Sequence, residues 1–324
     1  MKRIRIGTRG SALALWQANF VRAELTRRYA IEAELVEIRT SGDRFQTAAI
    51  SEIGSEIGAE GGAKGIFIKE IEDALLAGAV DVAVHSMKDV PTETPAGLVF
   101  AAITQREDPR DCLISRDRSL LKDLPRAARI GTGSLRRQAQ LRHLRPDLDV
   151  RGIRGNVDTR IRKLDGGEFD ALVLAVAGVT RLGARERIAE IFEPRVMLPA
   201  VGQGALGIET RADNLENDLE TARMVAEALD DTRTRACVMA ERALLRELEG
   251  GCQVPLGALA REEAGQLDLQ ACVFSADGRE FVRRDARGPA AQSEEIGKRL
   301  GEILREAGAD RILQLAGRSV ARSQ

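Results

Sequence analysis

Short apolar runs of strand length alternate along this chain with longer stretches whose apolar residues recur every three or four positions. The short runs predict strands and the longer stretches predict helices. The pattern predicts strands at 3–7, 34–38, 80–84, 111–114, 128–130, 149–151, 171–175, 207–210 and 267–273, and helices from Ser11 onward and at 67–77, 134–145, 156–164, 214–229, 232–248 and 293–307. Because strands and helices alternate, we expect parallel α/β sheets whose ligand-binding loops follow the carboxyl ends of strands.

Two regions depart from this alternation. Between residues 40 and 65 the periodicity gives way to Gly, Ser, Glu and Ala, which predicts a mobile loop. Beyond the helix predicted at 232–248, strand-like runs and a final helix are typical of a small α+β domain. No internal repeat or low-complexity linker is visible in the sequence.

Composition limits the kinds of partner that the chain can have. With 324 residues, 44% of them apolar, it is long enough for two or three domains with their own cores. The net charge of −1 gives no overall attraction to nucleic acid or membranes, so an anion site requires a local cluster of arginines. The sequence begins directly with a strand and contains no apolar run of membrane-spanning length, which predicts a soluble cytoplasmic protein.

The four cysteines include no Cys-x-x-Cys pair, and the chain has two histidines, so the sequence predicts no metal site. Cys112, Cys237 and Cys272 are predicted to be small buried hydrophobic residues. Cys252 differs because two glycines precede it and Pro255 follows it, which predicts an exposed turn. We expect a reactive or modified thiol there, and the residues leave open whether it attacks a substrate or carries a permanent group.

The most informative stretch is 131–138, which reads GTGSLRRQ. An apolar run enters a glycine turn, Ser134 is placed to cap the next helix, and Arg136 and Arg137 lie in its first turn. Backbone N–H groups, a hydroxyl and two guanidinium groups then converge where a carboxylate or phosphate would bind. A related loop follows at 154–160, so we expect a ligand with many negative charges.

The motif HSMKDVP, which begins at His85 and contains Lys88 and Asp89, directly follows the strand predicted at 80–84. One interpretation is an ion pair that clamps a turn. The other is that Asp89 moves protons or stabilises a cation while Lys88 binds an anion. Arg9 and Ser11 follow the first strand in the same way, although Ser11 by itself is explained as a helix cap.

Six motifs in chain order carry a specific resemblance to a known family. They are TRGSALALWQA from Thr8, HSMKDVP from His85, the double-arginine loop, RGNV from Arg154, LPAVGQG from Leu198 and GGCQVP from Gly250. Together they resemble the porphobilinogen deaminase family, also called the hydroxymethylbilane synthases. The match runs from about residue 4 to residue 255 and continues weakly beyond.

The resemblance implies a transferase of tetrapyrrole (haem and chlorophyll-type) biosynthesis. Members of this family condense four porphobilinogen molecules, with loss of ammonia at each step, into the linear tetrapyrrole hydroxymethylbilane. The product grows on a covalent dipyrromethane primer, which by motif would be attached to Cys252 through a thioether. Each pyrrole carries an acetate and a propionate, which would give the arginine loops their ligand. The implied protein is a cytoplasmic monomer whose partner is the small molecule porphobilinogen, without nucleic acid, membrane or metal.

The resemblance also implies roles for individual residues. Asp89 would be the catalytic carboxylate that stabilises the azafulvenium cation left by loss of ammonia. The cofactor-binding residues would be Cys252, Lys88, Asp89, Thr132, Ser134, Arg136 and Arg137. The substrate-binding residues would be Arg9, Ser11, Arg154, Asn156, Arg160, Arg181 and Gln203, and Lys64 would lie in a loop over the site.

The fold that the resemblance implies is α/β. Two domains similar to type 2 periplasmic binding proteins would be joined by a double crossover and followed by a small α+β C-terminal domain. We expect domain 1 at 1–104 with 200–222, domain 2 at 105–199 and domain 3 at 223–324, the third carrying the cysteine that anchors the cofactor.

Two features depart from the family pattern. The segment 47–63 is longer and more acidic than the usual loop before Lys64, which leaves open how that loop moves. Asp158 lies between anion-binding residues, where it either caps the helix or tunes Arg160.

Two other classes of function compete with this one. A non-catalytic binding protein for an anionic effector would explain the arginine loops, but it would explain neither the turn at Cys252 nor the pair Lys88 and Asp89. A nucleic-acid binder is disfavoured by the near-zero net charge and the aromatic content of 3%.

Overall fold

The computed structural model describes residues 3–29, 31–40, 68–212, 216–248 and 254–314. The chain divides into two compact units, Met1–Arg106 with Ala205–Arg235, and Glu107–Gly204 with Ala236–Gln324. It therefore passes from the first unit to the second, returns, and passes to the second again. The predicted double crossover is confirmed.

Strands and helices alternate through both units, as the hydrophobic pattern predicts. In chain order the strands are β1 (Arg3–Thr8), β2 (Glu32–Glu37), β3 (Val82–Ser86), β4 (Leu98–Ile103), β5 (Asp111–Ser115), β6 (Arg129–Gly131), β7 (Asp149–Arg151), β8 (Ala171–Ala175), β9 (Glu190–Ile191), β10 (Leu206–Arg211), β11 (Leu256–Glu263), β12 (Gln266–Phe274) and β13 (Phe281–Pro289). The helices are α1 (Ala12–Tyr29), α2 (Lys69–Leu76), α3 (Leu135–Leu144), α4 (Val157–Asp165), α5 (Val176–Arg181), α6 (Glu216–Leu229), α7 (Thr232–Glu247) and α8 (Ser293–Glu306).

The first unit is built on a five-stranded sheet with the order β2-β1-β3-β10-β4. The apolar residues of α1, among them Val21 and Leu25, pack on one face of this sheet. Ile71 and Leu75 of α2 pack on a second cluster of the same unit. Each pair is four positions apart and therefore shares one side of its helix.

Helix α6 also belongs to the first unit. Its residues Met224, Val225 and Leu229 pack in the same core as α1. The helix therefore crosses the domain boundary predicted between 222 and 223, and the first unit extends to Arg235.

The second unit contains a five-stranded sheet with the order β7-β6-β8-β5-β9. In each five-stranded sheet one strand, β10 or β5, runs antiparallel to both of its neighbours. The prediction of parallel sheets is wrong for these two strands. Both come directly after a crossing between the units, so the crossing sets their direction rather than a strand–helix–strand connection.

The last part of the second unit is a three-stranded antiparallel sheet, β11-β12-β13. Helices α7 and α8 pack against it through a core that includes Leu244, Leu269 and Leu300. The predicted α/β fold class with a small α+β region is therefore confirmed. The division of the second unit into a domain at 105–199 and a domain at 223–324 stays a prediction.

The hydrophobic pattern missed several elements, among them the two-residue strand β9. The apolar run of β4 and the short helix α5 were not predicted. Residues 41–67, which hold most of the predicted mobile loop together with Lys64, lie outside the described residues.

Candidate active site

Polar side chains of the first unit gather where two neighbouring parallel strands end. Arg9 and Ser11 follow β1, and Lys88 and Asp89 follow β3. Because β1 and β3 lie side by side and parallel, their carboxyl ends share one edge of the sheet. The fold therefore brings two separate sequence motifs to one edge.

Two hydrogen bonds hold the start of α1 at this edge. The hydroxyl of Ser11 accepts the N–H of Ala14 at 3.3 Å, so Ser11 caps α1 as predicted. Gln17, which is buried, donates from Nε2 to Ser86 Oγ at 2.8 Å. Sequence reasoning missed Gln17 because a single glutamine within a helix gives no sign of the strand that it contacts.

Lys88 and Asp89 lie in a 3-10 turn, Met87–Asp89, and both are half-buried. The N–H of Met87 donates to the carbonyl of Ala205 at 3.1 Å. A Cβ at Gly207 would collide with Met87 Sδ, so the glycine lets strand β10 pass directly against the turn. Backbone packing therefore determines where Asp89 is held.

A buried acid–imidazole pair lies immediately before this turn. His85 Nε2 and Glu209 Oε2 are 3.1 Å apart, and their side chains are 3% and 1% exposed. Glu209 Oε1 has no hydrogen-bond partner in the described part of the chain. Burial and the charge of Glu209 raise the pKa of Glu72 on α2 to about 7. The strand that leads into Asp89 thus carries a compact polar cluster.

Three loops meet at the corresponding edge of the second unit. Thr132 and Ser134 follow β6, Arg154 and Asn156 follow β7, and Arg181 ends the helix that follows β8. Since β6 lies between β7 and β8 and is parallel to both, the three loops leave the same edge of the sheet. The arginine loops predicted separately are neighbours.

The first two of these loops are in direct contact. A Cβ at Gly133 would lie 2.8 Å from the carbonyl oxygen of Ile153 and 3.7 Å from Arg160 Nη2. Only glycine permits this approach. Arg160 Nε donates to the carbonyl of Gly155 at 2.7 Å, which fixes that guanidinium beside the glycine turn.

Arg136 and Arg137, the two arginines that the sequence predicted to bind an anion, are buried. Their side chains are 4% and 7% exposed, and both bind Asp111 at the start of β5. Arg136 Nη1 donates to Asp111 Oδ2 at 2.6 Å. Arg137 donates to Asp111 Oδ1 from Nε at 3.0 Å and from Nη2 at 2.7 Å.

The charges of this buried cluster do not cancel. Burial by itself would raise the pKa of Asp111, but Arg136 and Arg137 outweigh it and hold that pKa well below its usual range. Two guanidinium groups therefore face one carboxylate, which leaves one positive charge in excess. Such an excess favours a further anion at this edge of the sheet.

Arg136 keeps unused donor capacity. Its Nη1 also donates to the carbonyl of Leu198 at 2.6 Å, but its Nε is buried and has no hydrogen-bond partner within the described residues. A buried donor without an acceptor is unfavourable, and such atoms are uncommon in folded proteins. An acceptor from a ligand would satisfy it.

Gln203 is fully buried and bound to protein groups. Its Nε2 donates to the carbonyl of Pro109 at 2.7 Å and to Asp111 Oδ1 at 2.8 Å, while its Oε1 accepts Arg137 Nη2 at 3.3 Å. Its predicted contact with substrate stays a prediction. The sequence does not indicate Asp111, which joins these groups, because the apolar run that it opens predicts only a buried strand.

The polar residues at the helix starts have mixed outcomes. Ser134 and Asn156 occupy the N-cap positions of α3 and α4, but neither side chain makes a capping hydrogen bond. Asp158 forms an ion pair with Arg162 at 3.5 Å on an exposed face. The two roles weighed for Asp158, a helix cap and a partner of Arg160, stay predictions.

The remaining predicted residues differ in exposure. Arg154 is exposed. Arg181 is half-buried, and its Nη2 donates to the carbonyl of Gly204 at 2.7 Å. Burial lowers the pKa of Arg181. Lys64 and Cys252 lie outside the described residues, so their predicted roles stay predictions.

The other three cysteines are buried, as predicted. Burial raises the pKa of the Cys112 thiol to about 12 and that of Cys272 to about 11. Within the described ranges, no three or more His, Cys, Asp or Glu residues are grouped so that they could hold a metal ion. Nor does any helix in those ranges have the length and apolar character needed to cross a membrane.

Two family models match the chain. The model described as porphobilinogen deaminase, dipyromethane cofactor binding domain, matches residues 4–218. The model of the porphobilinogen deaminase C-terminal domain matches residues 235–306.

Curated relatives span nearly the whole length. A porphobilinogen deaminase from Pelobacter propionicus is 48% identical over 98% of this chain and 96% of its own. One from Chlorobium chlorochromatii is 50% identical over 96% of this chain and 97% of its own. Among solved structures, the methionine-binding protein MetQ is similar with a TM-score of 0.43 and 14% identity, over 70% of this chain and 89% of that one.

Proposed function

The chain belongs to the porphobilinogen deaminase family, and from that premise we propose how its own residues serve the reaction. It is a transferase of tetrapyrrole biosynthesis with a dipyrromethane-binding domain. When bound, the dipyrromethane supplies the pyrrole carbon to which the first porphobilinogen is joined. The residues of the chain bind the carboxylates of the pyrroles, exclude water and move protons.

One observation carries the assignment of the carboxylate site, namely the buried Nε of Arg136 without a partner. Arg136 follows the loop that holds Thr132 and Ser134, and its side chain belongs to the buried cluster with an excess positive charge. A pyrrole acetate or propionate offers the planar acceptor that such a guanidinium binds. The residues present therefore fit the dipyrromethane, with Arg136, Thr132 and Ser134 holding its carboxylates.

The second arginine loop extends this recognition to the substrate. Arg154 is exposed, and the guanidinium of Arg160 lies beside Gly133 of the first arginine loop. Each condensation adds two more carboxylates, so a growing product needs several cationic partners along its length. We assign Arg9, Arg154, Asn156, Arg160 and Arg181 to that purpose, with Ser11 supporting Arg9.

Asp89 is assigned to catalysis. Loss of ammonia leaves a cation on the substrate, and a half-buried carboxylate in a turn held by backbone packing would stabilise that charge. The same carboxylate would accept the proton released when the new carbon–carbon bond forms. Lys88, in the same turn, would bind a carboxylate of the pyrrole so that the reacting carbon faces Asp89.

Cys252 is assigned to the covalent attachment of the primer. This assignment is supported by the other three cysteines, since Cys112, Cys237 and Cys272 are buried, and burial keeps Cys112 and Cys272 as thiols. Lys64 is assigned to a loop over the site. We further propose that the enzyme acts as a cytoplasmic monomer without nucleic-acid, membrane or metal partners, which its net charge of −1 supports.

Intact-mass measurement of the denatured protein tests the attachment. The full chain is expected to carry the additional mass of two condensed pyrroles, and Cys252→Ser is expected to carry none. Cys237→Ser, which replaces a buried thiol, serves as the control and should keep the additional mass. If Cys237→Ser loses the additional mass while Cys252→Ser keeps it, the primer is attached to Cys237 and the assignment to Cys252 is wrong.

Turnover of porphobilinogen tests Asp89. Asp89→Asn keeps the shape but removes the charge, so kcat is expected to fall by about 100-fold or more while the protein stays folded. Glu93→Gln changes an exposed carboxylate four residues away and should leave kcat unchanged. Near-normal turnover by Asp89→Asn would exclude the catalytic role.

A further inference from the structure

Asp111 is a buried titratable residue to which the reaction assigns no role. It is fully inaccessible and opens strand β5 opposite Ala175, the last residue of β8. This position places it at the edge of the sheet from which the arginine loops leave. Its neighbours along the strand, Cys112 and Leu113, are buried apolar residues.

The two arginines that follow the glycine turn use Asp111 differently. Arg137 turns its Nε and Nη2 toward Oδ1, so the edge best suited to a carboxylate is already occupied. Arg136 reaches Oδ2 through Nη1 alone. One carboxylate therefore occupies the binding edge of Arg137, whereas the buried Nε of Arg136 has no hydrogen-bond partner within the described residues.

The same cluster fixes Asp111 itself. Gln203 donates to Oδ1 from Nε2 and accepts Arg137 Nη2, so its amide bridges both members of the ion pair. On the other side, Gln140 donates from Nε2 to the carbonyl of Leu198 and accepts the Leu198 N–H. That carbonyl is the second acceptor for Arg136 Nη1, so both acceptors of this atom are held in place.

We propose that Asp111 is a positioning residue for carboxylate recognition, holding Arg136 by Nη1 so that its Nε edge meets the pyrrole carboxylate. The inference rests on the proposed function, because it needs the pyrrole carboxylates at this site. In this proposal the two arginines of the double-arginine motif have different roles. Arg136 presents the binding edge, while Arg137 is the counter-ion that keeps Asp111 charged and oriented.

Lengthening the side chain of Asp111 tests the position of its carboxylate separately from its charge. Asp111→Glu keeps the negative charge but moves the carboxylate by one methylene, which turns Arg136 away from its binding direction. We expect kcat/KM for porphobilinogen, measured per primed molecule, to fall by about 10- to 100-fold, as for other residues that orient a ligand-binding group. The fraction of purified chain that carries the dipyrromethane mass should fall as well.

A matched control lies at the opposite end of the same sheet. Asp170, immediately before β8, accepts Arg129 Nε at 3.1 Å and Nη2 at 2.9 Å. Asp170→Glu makes the same chemical change to an arginine–aspartate pair away from the loops. A fall in kcat/KM of more than about fivefold for Asp111→Glu relative to Asp170→Glu supports the positioning role, and a smaller fall overturns it.

Gln203→Met provides a second variant if Asp111→Glu does not fold. It removes the amide bridge but keeps both ion pairs, and the same fivefold criterion against Asp170→Glu then decides. A wild-type chain without the dipyrromethane mass would instead contradict the proposed function. The failure of the positioning role and the failure of the proposed function are therefore distinguished by the same set of samples.

Discussion

The two five-stranded sheets have the same strand order, yet the single antiparallel strand of each buries an acid with a different kind of partner. In the first unit β10 carries Glu209, which contacts His85. In the second unit β5 carries Asp111, which contacts two arginines. An imidazole can release its proton in the physiological pH range, whereas a guanidinium cannot.

The two acids also differ in depth along the sheet. Asp111 lies opposite the last residue of β8, at the edge from which the site loops leave. Glu209 lies opposite Ala83, three positions inward from Ser86 at the end of β3. The comparison indicates that equal topology does not imply equal roles, since only the acid at the edge can orient groups that reach a ligand.

Neutralising Asp111 and Glu209 in turn should reveal the greatest difference in the free energy of unfolding. Asp111→Asn leaves two buried guanidinium groups without a counter-ion, which should lower the free energy of unfolding by about 3–5 kcal/mol. Glu209→Gln leaves an imidazole that can remain neutral and still hydrogen-bond the amide, so about 1 kcal/mol is expected. Urea unfolding at pH 7 measures both, and equal losses would contradict the distinction between the two pairs.

The sequence predicted the arginines but not their burial. The glycine turn and Ser134 correctly placed Arg136 and Arg137 at the start of α3. Their counter-ion lies 25 residues earlier, in a strand whose direction depends on a crossing between units. No local pattern shows that an aspartate at the head of an apolar run will face two arginines.

The two edges themselves were predictable, because strand–helix alternation places loops at the carboxyl ends of parallel strands. The contact between the loops was not predictable. It requires the backbone of Ile153 to lie against Gly133, a relation between two loops that sequence spacing does not encode. The antiparallel strands were missed for the same reason as Asp111.

The next test compares Gly10 and Gly133, the glycines that precede Ser11 and Ser134. Gly133→Ala would place a Cβ 2.8 Å from a backbone carbonyl, so we expect a loss of about 1–3 kcal/mol and a higher KM. Gly10→Ala meets only the end of the flexible Glu37 side chain at 3.0 Å, and should lose less. Thermal unfolding with porphobilinogen kinetics compares them, and a larger loss at Gly10 would contradict this account.

The pH dependence of stability should arise in the first unit. Because burial and Glu209 raise the pKa of Glu72 from 4.5 to about 7, the folded state binds that proton more tightly than the unfolded state. The stability that this group contributes is complete below about pH 4.5 and is lost as the pH rises to about 7. Asp111 shows the opposite shift, so its contribution is constant across this range.

Urea midpoints measured from pH 5 to pH 8 test this difference. Glu72→Gln mimics the protonated acid, so its midpoint should depend less on pH than that of the wild type. Glu32→Gln removes an exposed carboxylate from the same unit and should follow the wild-type curve. If the curves of Glu72→Gln and the wild type run parallel, the titrating group lies elsewhere.

The smallest effect distinguishes two serines that occupy equivalent places after β1 and β6. Ser11 Oγ accepts the N–H of Ala14, so Ser11→Ala should lower the free energy of unfolding by about 1 kcal/mol. Ser134 makes no capping hydrogen bond, and we propose that its hydroxyl binds the ligand, so Ser134→Ala should leave stability unchanged while raising KM. Unfolding and kinetics measured on both variants separate a cap from a binding group. Equal stability losses would mean that Ser134 acts as a cap after all, and an unchanged KM would remove it from the carboxylate site.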